Sequence, residues 1–159
     1  MNQKTINEFI SCLKMLNNSN RTIQLPDKGD SLRLKSKSRH HYFIIDVNLK
    51  GRLGNITLQL RSEMYPHKPL LRLDIAGRSH PNPEGNFEGA GQIIPCPHMH
   101  IAHPDYGDSI AYPLNSDMVK IHLTKEELND LVFILRKFLI YMNTGNISDF
   151  DFHQQMNLI

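Results

Sequence analysis

The spacing of apolar residues along the chain predicts two helices around a sheet. Apolar side chains recur at helical intervals from Ile6 to Leu16, and the polar run that begins at Asn17 ends this pattern. Between residues 42 and 76, apolar and polar residues alternate in three segments, the first two separated by a Gly-bounded turn at residues 51–54. We expect three antiparallel strands here with these core-facing side chains: Phe43, Ile45, Val47 and Leu49; Ile56, Leu58 and Leu60; Leu71, Leu73 and Ile75.

A second helix is predicted near the end of the chain. Thr124 and Glu127 have the spacing of a capping box, the apolar stripe that follows is wide, and Gly145 fits the helix end. The four glycines and two prolines of residues 77–92 are typical of a mobile surface loop. We therefore predict an α+β fold, in a single domain over residues 1–159. It combines an antiparallel sheet of about four to six strands with an N-terminal helix and a long buried C-terminal helix.

The composition predicts a soluble protein that can fold without disulfides. The 159 residues are 40% hydrophobic and 21% charged, close to the average of globular domains. Two cysteines, Cys12 and Cys96, are too few for a disulfide framework and fit a reducing compartment. The first 16 residues lack the continuous apolar block of a signal peptide or membrane span. We expect a cytoplasmic protein without a membrane partner, and a homo-oligomer is compatible with the sequence.

The formal net charge of +2 conceals two halves of opposite sign. Residues 1–78 contain 14 Lys and Arg against 6 Asp and Glu, whereas residues 79–159 contain 4 against 10. A basic first half suits RNA or another polyanion. The alternative is that these side chains form solvated strand faces which the acidic half neutralises after folding. The candidate nucleic-acid-binding residues, several of them on a predicted edge strand near residues 32–35, are Arg33, Lys35, Lys37, Arg39 and Arg61.

Histidines are concentrated in one short stretch of the chain. Four of the nine, His80, His98, His100 and His103, lie within 24 positions, and imidazole titrates nearest to neutral pH. Pro95 and Pro97 predict that residues 93–101 form an irregular strand. Where it is extended, the side chains of His98 and His100 share one face, with Cα atoms about 6.5 to 7 Å apart. If this strand pairs with the third strand, Arg72 and Asp74 join the same site.

Three kinds of chemistry fit these residues. In the first, His98 and His100 transfer protons on nucleic acid without a cofactor, supported by His80, Arg72 and Asp74. In the second, His98, His100 and His103, with Asp105 or Asp108, bind zinc or another divalent metal in a metal-dependent hydrolase or metal-binding protein. In the third, the histidines only cap loops, and the protein is a noncatalytic module that binds a protein or nucleic acid. The sequence leaves all three open.

One family resemblance favours the first of these. The order of Arg72-Leu73-Asp74, His80 and Pro97-His98-Met99-His100 resembles that of the TumE-like toxins of bacterial toxin–antitoxin modules. The similarity covers residues 42–101, with a single His80 in place of a histidine pair and with an inserted Gly-rich loop. The usage of Asn, Ile and Lys also resembles that of small mobile-element proteins. The resemblance implies a toxin-type endoribonuclease that acts on RNA and has an antitoxin as protein partner.

Overall fold

The computed structural model describes residues 1–51 and 55–154, so most of the predicted turn at residues 51–54 lies outside the described residues. The elements are α1 (Gln3–Ser11), β1 (Met15–Leu16), β2 (Thr22–Gln24), β3 (Ser31–Lys37), β4 (Tyr42–Asn48), β5 (Thr57–Ser62), β6 (Leu71–Asp74), β7 (His80–Pro81), β8 (Ile93–Ile94), β9 (His98–Ile101), β10 (Ala111–Pro113), α2 (Leu131–Tyr141) and β11 (Asp151–His153), with 3-10 turns at Glu127–Asn129 and Ile147–Asp149.

Seven of the strands form an antiparallel sheet in the order β1-β3-β4-β5-β6-β9-β10. Two small sheets accompany it, β2 with β11 in parallel and β7 with β8 antiparallel.

The α+β prediction is confirmed, with seven strands in the main sheet against the four to six expected. The predicted alternation of apolar and polar residues matches the side chains that the sheet buries in the core. Phe43 and its neighbours of the same parity are almost completely buried, and the ring of Phe9 from α1 packs edge-on against Phe43 with centroids 5.8 Å apart. Each fully buried large apolar side chain stabilises the fold by about 1.5 to 3 kcal/mol. Both helices contribute to this core, and the opposite face of the sheet carries mostly polar side chains, with the buried Ile44 as an exception.

Both predicted helices are present, although the second begins later than its sequence signals suggest. Asn2 caps α1 by accepting a hydrogen bond from the Thr5 amide at 2.8 Å. The capping box of Thr124 and Glu127 does form, but it closes only a 3-10 turn. Asp130 then starts α2 by accepting from the Phe133 amide. None of the helices within the described residues combines the length and apolar character that crossing a bilayer requires.

Lys14 links the ends of the two helices from a completely buried position. Its ammonium group donates to the carbonyl oxygens of Ile10 at 2.9 Å, Cys12 at 3.0 Å and Met142 at 2.8 Å. These three bonds use all three donors of the group, so its charge is buried without a missing partner. Burial nevertheless lowers the pKa of Lys14 from 10.5 to about 8.

The Gly-rich segment of residues 77–92 is held by specific bonds, contrary to the prediction of a mobile loop. The strands β7 and β8 pair across it, and the side chain of Asn82 is buried. The Asn82 amide donates to the carbonyl oxygens of Gly89 and Ala111, and its oxygen accepts from the Ala111 amide at 2.8 Å. Composition alone could not show this, because the partner strand β10 lies 29 residues away.

Candidate functional site

The register of two adjacent strands brings four of the predicted site residues together. Strand β6 pairs antiparallel with β9, so that Arg72 lies opposite His100 and Asp74 lies opposite His98. Because side chains alternate along a strand, all four project from the polar face of the sheet, while Leu73 and Met99 enter the core. The pairing of these strands therefore creates the cluster that the sequence predicted only conditionally.

The Asp74 carboxylate is the centre of this cluster. Its Oδ2 lies 3.2 Å from Nε2 of His98 and 3.4 Å from Nε2 of His100. Its other oxygen accepts a hydrogen bond from the hydroxyl of Thr57 on β5 at 3.1 Å. Burial by itself would raise the pKa of Asp74, but the contacts with His100 and His98 and the charge of Arg72 outweigh it. The pKa is held well below its usual range, so the carboxylate is ionised.

Backbone carbonyl groups fix the orientation of both imidazoles. Nδ1 of His98 lies 3.2 Å from the carbonyl oxygen of Ile94 and 3.3 Å from that of Pro95. Nδ1 of His100 lies 2.9 Å from the carbonyl oxygen of Asp108. A carbonyl oxygen only accepts, so in each ring the Nδ1–H donates and Nε2 is directed toward the carboxylate. Both rings are fixed in this way in a nearly solvent-free position, with 2% and 1% of their surfaces exposed.

Arg72 covers the cluster from its solvent side. Its guanidinium lies 3.3 Å from Oδ2 of Asp74, 3.0 Å from Nε2 of His100 and 3.5 Å from a carboxylate oxygen of Asp108. A guanidinium only donates, so Nε2 of His100 accepts from it. Nε2 of His100 is closer to Arg72, at 3.0 Å, than to Asp74, at 3.4 Å, which agrees with the proton on Nδ1. Arg72 therefore supplies the positive charge that faces Asp74 and His100.

His80 stands at the edge of the cluster and is more accessible than the other two histidines. Its Nε2 donates to the carbonyl oxygen of Ser109 at 2.6 Å, and its ring centroid is 4.6 Å from that of His100. Burial lowers the pKa of His80, the Ser109 bond acts in the opposite direction, and the positive charge of Arg72 lowers it further. His80 is thus held neutral, with its Nδ1 as a proton acceptor.

Two residues of the site were missed in the sequence. The Sγ atom of Cys96 lies 3.7 Å from Nδ1 of His98, and burial together with the charge of Asp74 raises the pKa of this thiol. Thr57 lies opposite Asp74 in the β5–β6 ladder. Strand parity could have identified Cys96, which is two positions before His98. Thr57 follows only once the register between β5 and β6 is known.

Other predicted site residues lie elsewhere. His103 accepts a hydrogen bond from the Asp105 amide at 3.0 Å and packs against the ring of Tyr106. The three side chains whose ligand atoms lie within 4.8 Å of one another are Asp74, His98 and His100, a group that does not include His103. Asp105 is exposed, whereas Asp108 reaches the cluster through Arg72 and its own carbonyl group.

The candidate nucleic-acid-binding residues are already paired in part. Arg33 and Arg61 both contact the carboxylate of Asp46, and Lys35 contacts Glu63 at 2.9 Å. The other two, Lys37 at the end of β3 and Arg39 just after it, are exposed. Arg61 is only 13% exposed and also donates to the carbonyl oxygen of Pro66, so its contacts stabilise the fold.

The comparisons with known proteins identify a family and give no activity. Neither the curated proteins nor the solved structures contain a match to this chain. One family model matches residues 1–144, a span that includes every residue of the cluster. The chain therefore belongs to DUF6978, a family of unknown function.

Proposed function

We propose that Asp74, His98 and His100 bind a divalent metal ion and that the protein is a metal-dependent hydrolase. The observation that supports this most directly is the spacing of the three ligand atoms. With metal–ligand bonds of about 2.0 to 2.1 Å, two neighbouring ligands of a tetrahedral zinc ion are about 3.3 Å apart. The two Nε2–Oδ2 distances of 3.2 and 3.4 Å match this separation, and all three ligand atoms lie within 4.8 Å of one another.

The hydrogen bonds behind the rings also favour this proposal. A histidine that binds a metal through one nitrogen usually donates its other N–H to a carbonyl group or carboxylate, which fixes the tautomer. Both Nδ1 atoms have carbonyl oxygens at 2.9 to 3.3 Å. Two imidazoles and one carboxylate suit zinc and related ions and leave positions for water and substrate. A bound ion would supply a water molecule that is acidified enough to act as a nucleophile near neutral pH.

Arg72 has to move when a metal binds. Its guanidinium donates to Nε2 of His100, the lone pair that the ion would use. The side chain is 31% exposed, and Asp108 offers it a second carboxylate within 3.5 Å. We expect Arg72 to turn toward Asp108 when the site is loaded, where it stays near the substrate. Asp74 keeps a cationic partner in both states, which avoids an uncompensated buried carboxylate.

Elemental analysis of protein purified without chelator, and again after reconstitution with zinc, manganese or ferrous iron, tests the proposal. We expect about one ion per chain in the wild type, and stoichiometric loss in His98→Gln and Asp74→Asn. His103→Gln is the matched control and should retain the ion. Because the buried variants can lose stability, the metal-dependent rise in Tm is measured in parallel, since a metal raises Tm only if it binds the folded state more tightly than the unfolded chain. A wild type that takes up no ion and shows no rise in Tm contradicts the proposal.

A second candidate is the metal-free cleavage of RNA that the TumE-like resemblance predicts. It is favoured by the contact of Arg72 with His100 and by the accessible, neutral ring of His80 beside them. In this function His80 takes the proton of a ribose 2′-hydroxyl, whose oxygen bonds to phosphorus and displaces the 5′-oxygen. Arg72 stabilises the charge on the phosphate, and the departing 5′-oxygen takes a proton from solvent water. RNA cleavage by extensively chelated protein that is lost in His80→Gln, and kept in His103→Gln, would support this candidate over the metal-dependent one.

A further inference from the structure

A polar groove leads along the sheet to the proposed metal site. One cavity of about 350 Å³ lies over β3, β4 and β5, and a second of about 270 Å³ lies between β5, β6 and the segment after β6. Asn48 and Thr57 line both cavities, so the two lie side by side on the sheet. Asp74, the central residue of the cluster, lines the second cavity. A molecule that lies in this groove therefore reaches the cluster directly.

The lining of this groove is suited to a polar, anionic ligand. Neutral hydrogen-bonding side chains form its floor, and cationic side chains are spaced along it from Arg33 and Lys50 at one end to Arg78 at the other. Arg33 and Arg61 share a single carboxylate, that of Asp46, which leaves this part of the groove positively charged. The neutral floor consists of Ser31, Asn48, Asn55, Thr57 and Gln59.

The length of the groove distinguishes a chain from a small anion. Arg33 on β3 and Asp74 on β6 are three strand spacings apart across the sheet, about 14 Å at 4.7 to 4.9 Å per spacing. A single phosphate group cannot contact both ends. A ligand with several phosphates at intervals can, and the amide and hydroxyl side chains between the cations can bond to its sugars and bases.

We propose that this groove binds single-stranded nucleic acid, with its phosphates on Arg33, Lys50 and Arg78 and one phosphodiester next to Asp74. This proposal names the substrate class of the proposed hydrolase. Cleavage of the bound strand rests on the proposed function, whereas binding of the strand does not require the metal. Single strands are favoured over duplexes because the groove lies on the sheet surface, where unstacked bases and the backbone are both accessible to side chains.

Binding of a short fluorescein-labelled single-stranded RNA, and of DNA of the same sequence, tests the groove by fluorescence anisotropy between about 50 and about 200 mM salt. The variant Arg33→Ala/Lys50→Ala/Arg78→Ala removes the three groove cations. The control Lys4→Ala/Lys125→Ala/Lys137→Ala removes the same charge from α1, α2 and the segment before α2. Circular dichroism is used to check that both variants are folded. We expect Kd to rise at least about tenfold in the groove variant and less than about threefold in the control.

The salt dependence gives a second, independent measure. Each phosphate contact on a single strand contributes about 0.7 to the slope of log K against log salt, so the groove variant should lose about 2 from this slope. Equal affinity for RNA and DNA would indicate that the groove recognises the phosphate backbone. Tighter binding of RNA would indicate additional hydrogen bonds to the 2′-hydroxyl groups, and both results support the proposal. A wild type that binds neither strand at low salt, or equal losses in the groove variant and the control, overturns the inference.

Metal content measured on the same preparations separates this inference from the proposed function. The groove variant should contain as much metal as the wild type, and Asp74→Asn should lose the metal but bind the strand at least as tightly. If the wild type contains no metal and still binds nucleic acid through the three cations, the proposed metal centre is wrong and the groove is correct. If the metal is present and the groove variant binds nucleic acid as the control does, the metal centre is correct and the groove is wrong.

Discussion

Lys14 and the cluster around Asp74 both bury ionisable side chains, and the partners of these side chains differ in kind. Lys14 is completely buried and is bonded by three backbone carbonyl groups, none of which can change its charge. Asp74 contacts the side chains of His98, His100 and Arg72, and the Arg72 side chain is 31% exposed. The ammonium group of Lys14 has no donor left for a ligand. The carboxylate of Asp74 can exchange one cationic partner for another.

This difference explains why only one of the two places is a candidate functional site. A buried charge that is fully satisfied by backbone stabilises a particular packing of the chain, here the approach of the ends of α1 and α2. A buried carboxylate that faces imidazole nitrogens keeps its binding capacity, because protons, the guanidinium and a metal ion compete for the same atoms. Substitutions should therefore affect stability most at Lys14, and binding most at Asp74.

The largest effect on stability is expected for Lys14→Met. This change leaves three carbonyl oxygens without a donor in a buried position, which should lower the free energy of unfolding by about 4 kcal/mol. Lys4→Met on α1 is the control and should change it by less than about 0.5 kcal/mol. Urea unfolding followed by circular dichroism measures both. A loss at Lys14 no greater than that at Lys4 would show that the ammonium group is not needed there.

The pH dependence of stability should identify the same lysine. Its pKa is about 8 in the folded protein and 10.5 as the reference value, so between these values the unfolded chain binds more protons. Stability contributed by this group must then rise as the pH increases from about 8 to 10.5, by about 3 kcal/mol in total. Other groups titrate in this range, and the comparison of wild type with Lys14→Met removes their contribution. Parallel profiles for the two proteins would contradict the prediction.

A smaller effect on stability is expected for Asp74→Asn without added metal. The carboxamide leaves Arg72 and the two imidazoles without their anionic partner, which should cost about 2 kcal/mol near neutral pH. Because the folded-state pKa of Asp74 is depressed, the wild-type advantage is complete above about pH 4 and declines as the pH falls below it. Thermal unfolding at several pH values measures this. The same variant should show no rise in Tm with zinc, unlike Lys4→Met.

The parts of the fold that the sequence predicts are those governed by local periodicity. Alternation identified β4, β5 and β6 and the face each buries, and it placed His98 and His100 side by side. The start of α2 was missed because the Thr124 capping box and the Asp130 cap compete within seven residues, and sequence spacing does not show which one a long helix uses. The buried Lys14 was missed for a related reason, since its partner Met142 is 128 residues away.

Most members of the candidate site were predictable, with Thr57 and Cys96 as the exceptions, but its chemistry was not. Arg72 and Asp74 followed from strand parity, and their approach to the histidines needed only that β6 and β9 be neighbours. The carbonyl groups of Ile94 and Asp108 that orient the rings belong to irregular backbone, which leaves no signal in residue types. These backbone bonds, which direct both Nε2 atoms toward one carboxylate, favour a metal site over three isolated polar residues.

The smallest effects are expected at Asp46, where two arginines share one carboxylate and provide an internal comparison. Arg61 donates to it at 2.8 and 3.2 Å and is 13% exposed, whereas Arg33 makes one 3.3 Å contact and its side chain is 60% exposed. Arg61→Ala should lower the free energy of unfolding by about 1 kcal/mol, because a nearly buried, bidentate pair is lost. Arg33→Ala should change it by less than about 0.5 kcal/mol, and added salt should remove even that difference. Urea unfolding at low and high salt separates the two. Arg33 is then the arginine that can exchange Asp46 for a phosphate with little loss of stability. An equal loss of stability in both variants would contradict this, because Arg33 would then be needed for the stability of the fold.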